Sequence, residues 1–405
     1  MLTSSGHLTY CTNIHPGENW SAHFEALKEN FPSIKDKLAP QEPMGIGLRL
    51  SNEASIELTK GTNLEEFKDW LKKVDGYVFT MNGFPYGDFH HTVVKDQVHS
   101  PDWISPNRLS YTLGLMNILS ELLPEGMDGG ISTSPLSYRH WFSTLADTKN
   151  AVDLATKNII QVAEQMHAMK MANSKILHLD IEPEPDGLIE TGEEFIDWYT
   201  LVLLPMARDY FKSEKNLSAE EADSIVKEHI RICYDVCHFA LGFEDHSAVI
   251  NHLTSEGIKI GKFQISAALK ALLPVVIEDR NAVSTAFSEF NEPVYLHQVI
   301  ARKDDSSILR YRDLPEALDD IDNVHVKEWR AHFHVPIFMN EFEGLQSTQS
   351  EIIEVLSIQE ELQLTQHFEV ETYTWGVLPS DLKLPIHQSI TRELEWVLPL
   401  LEKGF

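Results

Sequence analysis

Short runs of apolar and β-branched residues recur along the chain, and they alternate with stretches in which apolar residues return every three or four positions. The runs predict eight strands, at Leu8–Ile14, Met44–Leu50, Gly76–Met81, Gly129–Thr133, Lys175–Ile181, Ile230–Val236, Lys259–Ile265 and Phe368–Thr374. Strands that alternate with helices pair in parallel, because each helix carries the chain back to the level where the next strand starts. Eight such units predict an α/β fold that closes as a (β/α)8 TIM barrel.

Several of the intervening stretches carry signals for the start of a helix. Thr191 with Glu194, and Ser218 with Glu221, have the spacing of a capping box, in which each residue binds the other's backbone N–H. Asn63 is placed to cap a third helix. The main alternative fold is a doubly wound open sheet, but no glycine-rich phosphate loop follows the first strand.

The connection between the seventh and eighth strands is far longer than the others, at about a hundred residues. It contains further strand-like runs at Val294–Ala301, Ile308–Arg312 and His332–Phe338. Long insertions in a barrel usually decorate its C-terminal face, where catalytic residues lie. We expect residues 1–405 to form one barrel domain with an insertion at about 266–345.

Charge and cysteine content narrow the class of protein. The 405 residues include 33 Lys and Arg against 62 Asp and Glu, a net charge of −29, which argues against nucleic acid as a partner. Three cysteines, Cys11, Cys233 and Cys237, do not make a disulfide framework. We find neither a signal-peptide pattern nor an apolar run long enough for a membrane span. The expectation is a cytoplasmic protein with a small-molecule substrate.

Polar residues stand where four neighbouring strands are predicted to end. They are Glu182 after strand five, Asp235 and His238 at strand six, Gln264 on strand seven and Glu371 on strand eight. The C-terminal ends of parallel barrel strands meet at one rim, so these side chains are expected to lie together. Carboxylates suit Mg²⁺ and Mn²⁺, and imidazole suits Zn²⁺, so the pattern predicts a divalent metal site.

His332 and His334 are candidates for the same site. They lie two residues apart, so both point to one side of an extended segment, and they are expected to bind a second metal or the polar end of a substrate. The adjacent pair His90 and His91 is weak evidence by itself. We further expect substrate contacts from His15, Glu184, His297 and Trp375.

At these residues the sequence resembles the xylose-isomerase-like superfamily of sugar isomerases, epimerases and apurinic endonucleases. That superfamily places a Glu on strand five, an Asp or Glu with a His three residues later on strand six, a His or Asp on strand seven, and a Glu or Asp on strand eight. The matching positions are Glu182, Asp235 with His238, Gln264 and Glu371.

Three longer phrases make the resemblance more specific. With Cys11–Trp20, Asn82–Gly87 and Trp329–Pro336, the chain is similar over its whole length to the EboE family of metabolite-traffic proteins, whose gene lies in an operon with a prenyltransferase-like partner. The resemblance implies a TIM barrel with a divalent metal. Two positions depart from the superfamily pattern: Glu184 replaces the lysine of the xylose isomerases' Glu-Pro-Lys-Pro, and Gln264 replaces a stronger ligand.

Three functions follow as hypotheses. The first is a metal-dependent isomerase or epimerase of a small polyol or hydroxy-carbonyl compound, with Glu182 and Glu371 as acid and base. The second is a protein that binds a metabolite and hands it on without catalysis. The third is an endonuclease-like phosphodiesterase, which the net charge disfavours. Metal analysis, followed by proton–deuterium exchange on candidate sugars, distinguishes the first from the others.

Overall fold

A computed structural model describes residues 1–87, 95–342, 344–376, 378 and 384–402. Eight parallel strands form its main sheet, in the order β1-β14-β7-β6-β5-β4-β3-β2. They are β1 (His7–Tyr10), β2 (Met44–Arg49), β3 (Gly76–Asn82), β4 (Gly129–Thr133), β5 (Leu177–Ile181), β6 (Ile230–Asp235), β7 (Ile260–Ile265) and β14 (His367–Val370). The predicted strands one and eight were too long, since short 3₁₀ turns follow β1 and β14.

The seam between β1 and β2 closes the barrel largely through side chains. One parallel bridge joins Cys11 to Gly47. The Thr9 hydroxyl donates to the carbonyl oxygen of Gly45 and accepts from the Gly47 N–H, at 2.9 and 3.0 Å. The Thr12 hydroxyl accepts from the Arg49 N–H at 2.8 Å. The predicted (β/α)8 architecture is therefore confirmed.

Helices surround the barrel. They are α1 (Trp20–Leu38), α2 (Asn52–Leu58), α3 (Asn63–Val74), α4 (Pro106–Leu122), α5 (Leu145–Asn173), α6 (Gly192–Asp197), α7 (Leu204–Lys215), α8 (Ala219–His229), α9 (Val236–Leu241), α10 (His246–Ser255), α13 (Gln349–Leu362) and α14 (Ile386–Leu401). Both predicted capping boxes are present, at α6 and α8. The prediction for Asn63 was wrong: it is the first helical residue, and its side chain donates to the carbonyl oxygen of Glu57.

A second, antiparallel sheet lies in the chain between β7 and β14. Its strand order is β10-β9-β11-β8-β13-β12. The strands are β8 (Ala268–Leu272), β9 (Val299–Lys303), β10 (Ile308–Tyr311), β11 (Val326–His334), β12 (Glu341–Phe342) and β13 (Leu345–Ser347), with helices α11 (Arg280–Ser288) and α12 (Leu314–Asp319) beside them. The predicted run Val294–Ala301 starts too early, and the run at His332 belongs to a strand that ends at His334. His90 and His91 lie outside the described residues.

The barrel interior is polar in its middle layer and has little spare room. Lys262 on β7 forms a fully buried ion pair with Glu369 on β14. A side chain at Gly47 would place its Cβ 1.9 Å from Glu369, and one at Gly261 would place it 1.9 Å from Asp180. Glycine is therefore required at both positions. In the described part of the chain, no helix is long and apolar enough to cross a membrane.

Candidate metal centre

The C-terminal rim, meaning the ends of β5, β6, β7 and β14, carries the predicted oxygen donors. Glu182 directly follows β5, Asp235 ends β6, Gln264 lies on β7 opposite Asp235, and Glu371 directly follows β14. All four side chains are buried. The pairing of neighbouring parallel strands brings these residues to the same rim. At one such pair, β14 and β7, the Glu371 N–H donates to the Ile265 carbonyl oxygen at 3.0 Å.

Two of these carboxylates are held by hydrogen bonds. Asp235 Oδ1 accepts from the Ser266 hydroxyl at 2.6 Å and caps α9 by accepting from the His238 N–H at 3.3 Å. Glu371 Oε1 accepts from the side-chain amides of Asn13 and Asn82, at 2.6 and 3.1 Å. Both groups are thereby oriented before any ligand arrives.

The rim carries more negative charge than the protein neutralises. Among the described residues, Glu182 Oε2 and Asp235 Oδ2 are buried without a hydrogen-bond partner. Burial, reinforced by the neighbouring Glu371 and Asp235 carboxylates, raises the pKa of Glu182 well above its ordinary value. Burial also raises the pKa of Glu371, against the opposing effect of His334. A divalent cation would relieve this repulsion.

Three histidines complete the centre. His238 Nδ1 lies 2.9 Å from the Pro183 carbonyl oxygen, and His334 Nδ1 lies 2.9 Å from the Glu371 carbonyl oxygen. His332 Nδ1 lies 2.9 Å from Gln298 Oε1. Carbonyl oxygens only accept, so the backbone partners place the proton of His238 and His334 on Nδ1, and the amide oxygen does the same for His332. Nε2 of each ring is therefore unprotonated and carries a lone pair.

The three Nε2 atoms converge. His238 Nε2 lies 3.2 Å from His332 Nε2, and His334 Nε2 is buried without a hydrogen-bond partner among the described residues. Potential ligand atoms of His238, His332 and His334 all lie within 4.8 Å of one another. Facing lone pairs repel unless a cation lies between them. Histidine ligands with Nδ1–H held by a carbonyl group are the usual arrangement at metal centres.

The carboxylates lie at different distances from these histidines. Glu182 and Asp235 form a group of three with His238 inside the same 4.8 Å limit. Glu371 belongs to no such group among the described residues, and its Oε2 lies 4.0 Å from His334 Nδ1. The donors are thus centred on His238 rather than on the four strand-end oxygens. Burial lowers the pKa of His238 and His332, which keeps these rings neutral and able to bind a metal.

A cavity opens directly over the centre. Its polar lining includes Glu182, Glu184 and the three histidines, and its apolar lining includes Phe84, Pro85, Val98, Tyr295, Leu296 and Tyr373. Burial raises the pKa of Glu184 well above its ordinary value, and Glu184 Oε1 lies 3.2 Å from His99 Nδ1. Lys95 also lines the cavity, but it pairs with Asp313 at 2.6 Å. The cavity wall therefore combines acidic and apolar side chains.

Of the four residues expected to contact substrate, the structure places only Glu184 in the cavity wall. His15 is buried beside Tyr10, with Nε2 3.1 Å from the phenol oxygen. Both nitrogens of His297 are engaged, by the His332 carbonyl oxygen at 3.0 Å and by Glu292 at 2.7 Å. Trp375 is buried but does not line the cavity. Their positions support the site from behind rather than facing a ligand.

Four functional positions were missed by the sequence reasoning: Asn13, Asn82, His99 and Gln298. Asn13 follows the first strand and Asn82 ends the third. Their position near strand ends was the feature of the sequence that could have identified them. Gln298 lies in the irregular segment just before β9 and His99 ends a short 3₁₀ helix, and at neither position does residue type alone give the direction of the side chain. Gln298 orients His332, and the two asparagines orient Glu371.

No protein-family model and no curated protein sequence matches the chain. Among solved structures, a xylose isomerase-like TIM barrel protein from Mycobacterium smegmatis, in complex with magnesium, aligns over 99% of this chain and 98% of its own, with TM-score 0.50 and 9% identity. The IolI protein with bound zinc aligns over 98% and 99%, with TM-score 0.46 and 11% identity. A xylose isomerase domain-containing protein from Salmonella typhimurium aligns over 99% of both chains, with TM-score 0.44 and 10% identity. The chain thus has the fold of the xylose-isomerase-like TIM barrels.

Proposed function

We propose that the protein is a metal-dependent isomerase or epimerase of a small, uncharged polyol or hydroxy-carbonyl compound. The observation that carries this proposal is the convergence of three imidazole Nε2 lone pairs beside buried, unpartnered carboxylate oxygens, at the floor of a cavity. Such a set of groups is unfavourable in the absence of a cation.

His238, His332 and His334 would hold the metal, with Glu182 and Asp235 as adjacent oxygen donors. Nitrogen-rich sets of this kind suit Zn²⁺ and tolerate Mn²⁺, whereas Mg²⁺ prefers oxygen alone. When bound, the ion supplies Lewis-acid polarisation of a substrate carbonyl or hydroxyl group. Gln264 remains a proposed weak ligand on the oxygen side.

The carboxylates differ in a way that suits acid–base work. Glu182 has an unpartnered buried oxygen and lines the cavity, so it is placed to exchange a proton with the substrate. Glu371 accepts two amide N–H groups on Oε1, which favours its charged form and leaves it to accept a proton from the carbon next to a carbonyl. Removal and return of that proton inverts or isomerises the substrate.

Charges in the cavity limit the substrate. The one lysine or arginine in its described wall is Lys95, which is already paired, so only the metal itself would offer a counter-charge to a phosphate or carboxylate group. Glu184 occupies the place of the lysine that the resemblance associates with the hydride shift of xylose isomerases. A carboxylate repels a developing oxyanion, so we propose that xylose and glucose are not isomerised.

The pathway remains a proposal as well. The three phrases shared with the EboE family support a role in metabolite traffic, and under that alternative the barrel binds a metabolite and hands it on. The acidic cavity and the net charge of −29 disfavour the endonuclease alternative. Three buried free cysteines support a cytoplasmic location.

The test begins with the metal content of the purified protein. Unphosphorylated aldoses, ketoses and cyclitols are then incubated with it in heavy water, and loss of the C–H proton is followed by NMR. We expect metal and proton exchange together, and we expect E182Q and E371Q to lose exchange while E193Q, an exposed glutamate on α6, retains it. Bound metal without exchange on any of these compounds would favour the hand-over alternative. Absence of metal after supplementation would exclude the metal-dependent isomerase or epimerase and the metal-dependent phosphodiesterase.

A further inference from the structure

Histidine and carboxylate side chains also meet at the opposite, N-terminal end of the barrel. Asp128 lies just before β4, His178 is the second residue of β5, and His367 is the first residue of β14. Asp128 Oδ1 lies 3.1 Å from His367 Nε2, and Asp128 Oδ2 lies 3.6 Å from His178 Nε2. Potential ligand atoms of all three lie within 4.8 Å of one another. This group is separate from the rim, which is built from the other ends of the strands.

His178 is fixed with a lone pair directed into the group. Its Nδ1 lies 2.6 Å from Asp180 Oδ1, and both side chains are fully buried. Nδ1 donates to the carboxylate, so Nε2 carries the lone pair, and Nε2 has no hydrogen-bond partner in the described part of the chain. That lone pair faces the Asp128 carboxylate, which is a repulsive arrangement unless a cation lies between them. A carboxylate behind a histidine is the usual support of a metal-binding imidazole.

His367 Nε2 meets the same carboxylate, at a hydrogen-bond distance of 3.1 Å from Asp128 Oδ1. Its ring centroid lies 5.3 Å from that of His178, and its Nδ1 is buried without a hydrogen-bond partner among the residues described. A purely structural polar cluster would be expected to pair its buried nitrogens, because an unpaired buried polar atom costs about 1–3 kcal/mol. Here His178 Nε2, which faces Asp128, is unpaired, and in His367 the unpaired nitrogen is Nδ1, since Nε2 binds Asp128.

Charge also permits a cation at this position. Arg231 Nη1 lies 3.0 Å from Asp128 Oδ2 and orients that carboxylate. Arg231 offsets the charge of Asp128, and burial raises the pKa of Asp180 to about 7. Access exists from outside the barrel, because the Asp128 side chain is 31% exposed while His178 and His367 are buried.

We propose that Asp128, His178 and His367 form a second metal site, which takes a zinc-type divalent cation and ties β5 to β14 across the N-terminal end of the barrel. The ligand-atom separations of 3.1 and 3.6 Å bracket the value of about 3.3 Å that tetrahedral bonds of about 2.0–2.1 Å produce. Asp128, His178 and His367 line none of the main cavities of the described residues, which fits a structural role. This inference does not depend on the proposed function.

The test uses the full chain, with Zn²⁺ and Co²⁺ as the probes. The variant H332A/H334A removes two of the three rim imidazoles, which weakens the rim site and leaves the N-terminal site as the tighter one. We expect about two zinc ions per wild-type chain after dialysis, one in H332A/H334A, and none when H367Q is added to it. The Co²⁺ form of H332A/H334A should show the intense visible absorption bands of tetrahedral cobalt, and addition of H367Q should remove them.

Controls separate this site from the rim. H252Q, which changes an exposed histidine on α10, should retain all the zinc of its parent. D128N replaces H367Q if the latter does not fold, since Asp128 lies at the edge of the group. Zinc absent from H332A/H334A, or zinc retained there after D128N or H367Q, would overturn the N-terminal site. If D128N alone lowers the zinc content from two ions per chain to one and leaves proton exchange intact, the two proposals are supported separately.

Discussion

The two ends of the barrel use the same side chains under different electrostatic conditions. At the C-terminal rim, Nδ1 of each histidine faces a neutral carbonyl or amide oxygen, and among the described residues Glu182 Oε2 and Asp235 Oδ2 have no hydrogen-bond partner. At the N-terminal end, His178 faces the carboxylate of Asp180, and Arg231 binds Asp128. The rim opens into a cavity, whose described lining includes none of Asp128, His178 and His367. The comparison teaches that residue type alone does not separate a reactive centre from a structural one, whereas charge balance and access do.

The largest effect is expected from removal of the rim imidazoles. In H332A/H334A, two of three converging nitrogen donors are lost, so activity should fall by about 10³-fold or more, as expected when a Lewis acid is removed. The thermal midpoint should change little, because both side chains line a cavity. Initial rates and calorimetry measure the two quantities. H325A, an exposed histidine nearby, is the control, and a rate unchanged in H332A/H334A would contradict the rim assignment.

The next effect concerns the layer between the two ends. Lys262 neutralises Glu369 inside the barrel, and K262M would leave that carboxylate buried and unpaired. We expect a loss of about 3–5 kcal/mol in the free energy of unfolding, measured by urea denaturation. The double variant K262M/E369Q removes both charges and should recover most of the loss. A double variant as unstable as K262M would show that packing, rather than charge, explains the defect.

A smaller, pH-dependent effect is expected behind the rim. Glu393 on α14 accepts from the Thr372 hydroxyl at 2.6 Å and from the Ile337 N–H at 3.2 Å, and burial raises its pKa to about 7. A raised pKa means that folding favours the protonated acid. This contribution is complete below about pH 4.5, the ordinary value, and is lost as pH rises through 7.

E393Q keeps an acceptor oxygen but cannot ionise. The difference in unfolding free energy between pH 5 and pH 8 should therefore shrink in E393Q, by on the order of 1–3 kcal/mol. Thermal melts at both pH values provide the measurement. E395Q, which removes an exposed carboxylate from the same helix, should melt with the wild-type pH dependence. Equal pH dependence in E393Q and the wild type would remove Glu393 as the source.

The smallest effect is expected at Glu184. This residue belongs to none of the candidate metal groups among the described residues, so E184K should retain the metal content of the wild type. The unmodified protein should show no xylose or glucose isomerisation. Elemental analysis and a sugar assay measure these outcomes. Loss of metal in E184K, or turnover of xylose by the wild type, would show that the roles of Glu182 and Glu184 were assigned wrongly.

The sequence predicted the barrel and its rim because both follow from local pattern. Alternation of strands and helices determines that strands are parallel, and parallel strands bring residues such as Glu182 and Asp235 to one edge. The start of β9 was misplaced because an antiparallel insertion is defined by pairing with distant strands. His297 was misassigned because its direction depends on contacts with Glu292 and His332, which no local pattern encodes.

The N-terminal group was not predicted for a related reason. His178 and His367 stand at the beginnings of strands, where polar residues are ordinary, and their meeting requires the closed barrel. The asparagines that hold Glu371 were overlooked in the same way, since an amide at a strand end is typical of a turn. Sequence spacing therefore located donors on one rim, and the structure was needed to find what orients them.

The strand order has a consequence for synthesis. β1 is the first barrel strand to leave the ribosome, yet one of its neighbours is β14, with Tyr10 aligned to Val370. At about 5–20 residues per second, that edge of β1 waits on the order of tens of seconds for its partner. An unpaired strand edge is a site for mispairing with other chains. The nascent chain can therefore mispair during this interval. Chaperones that shield strand edges would have their greatest effect on the yield of folded protein at this stage.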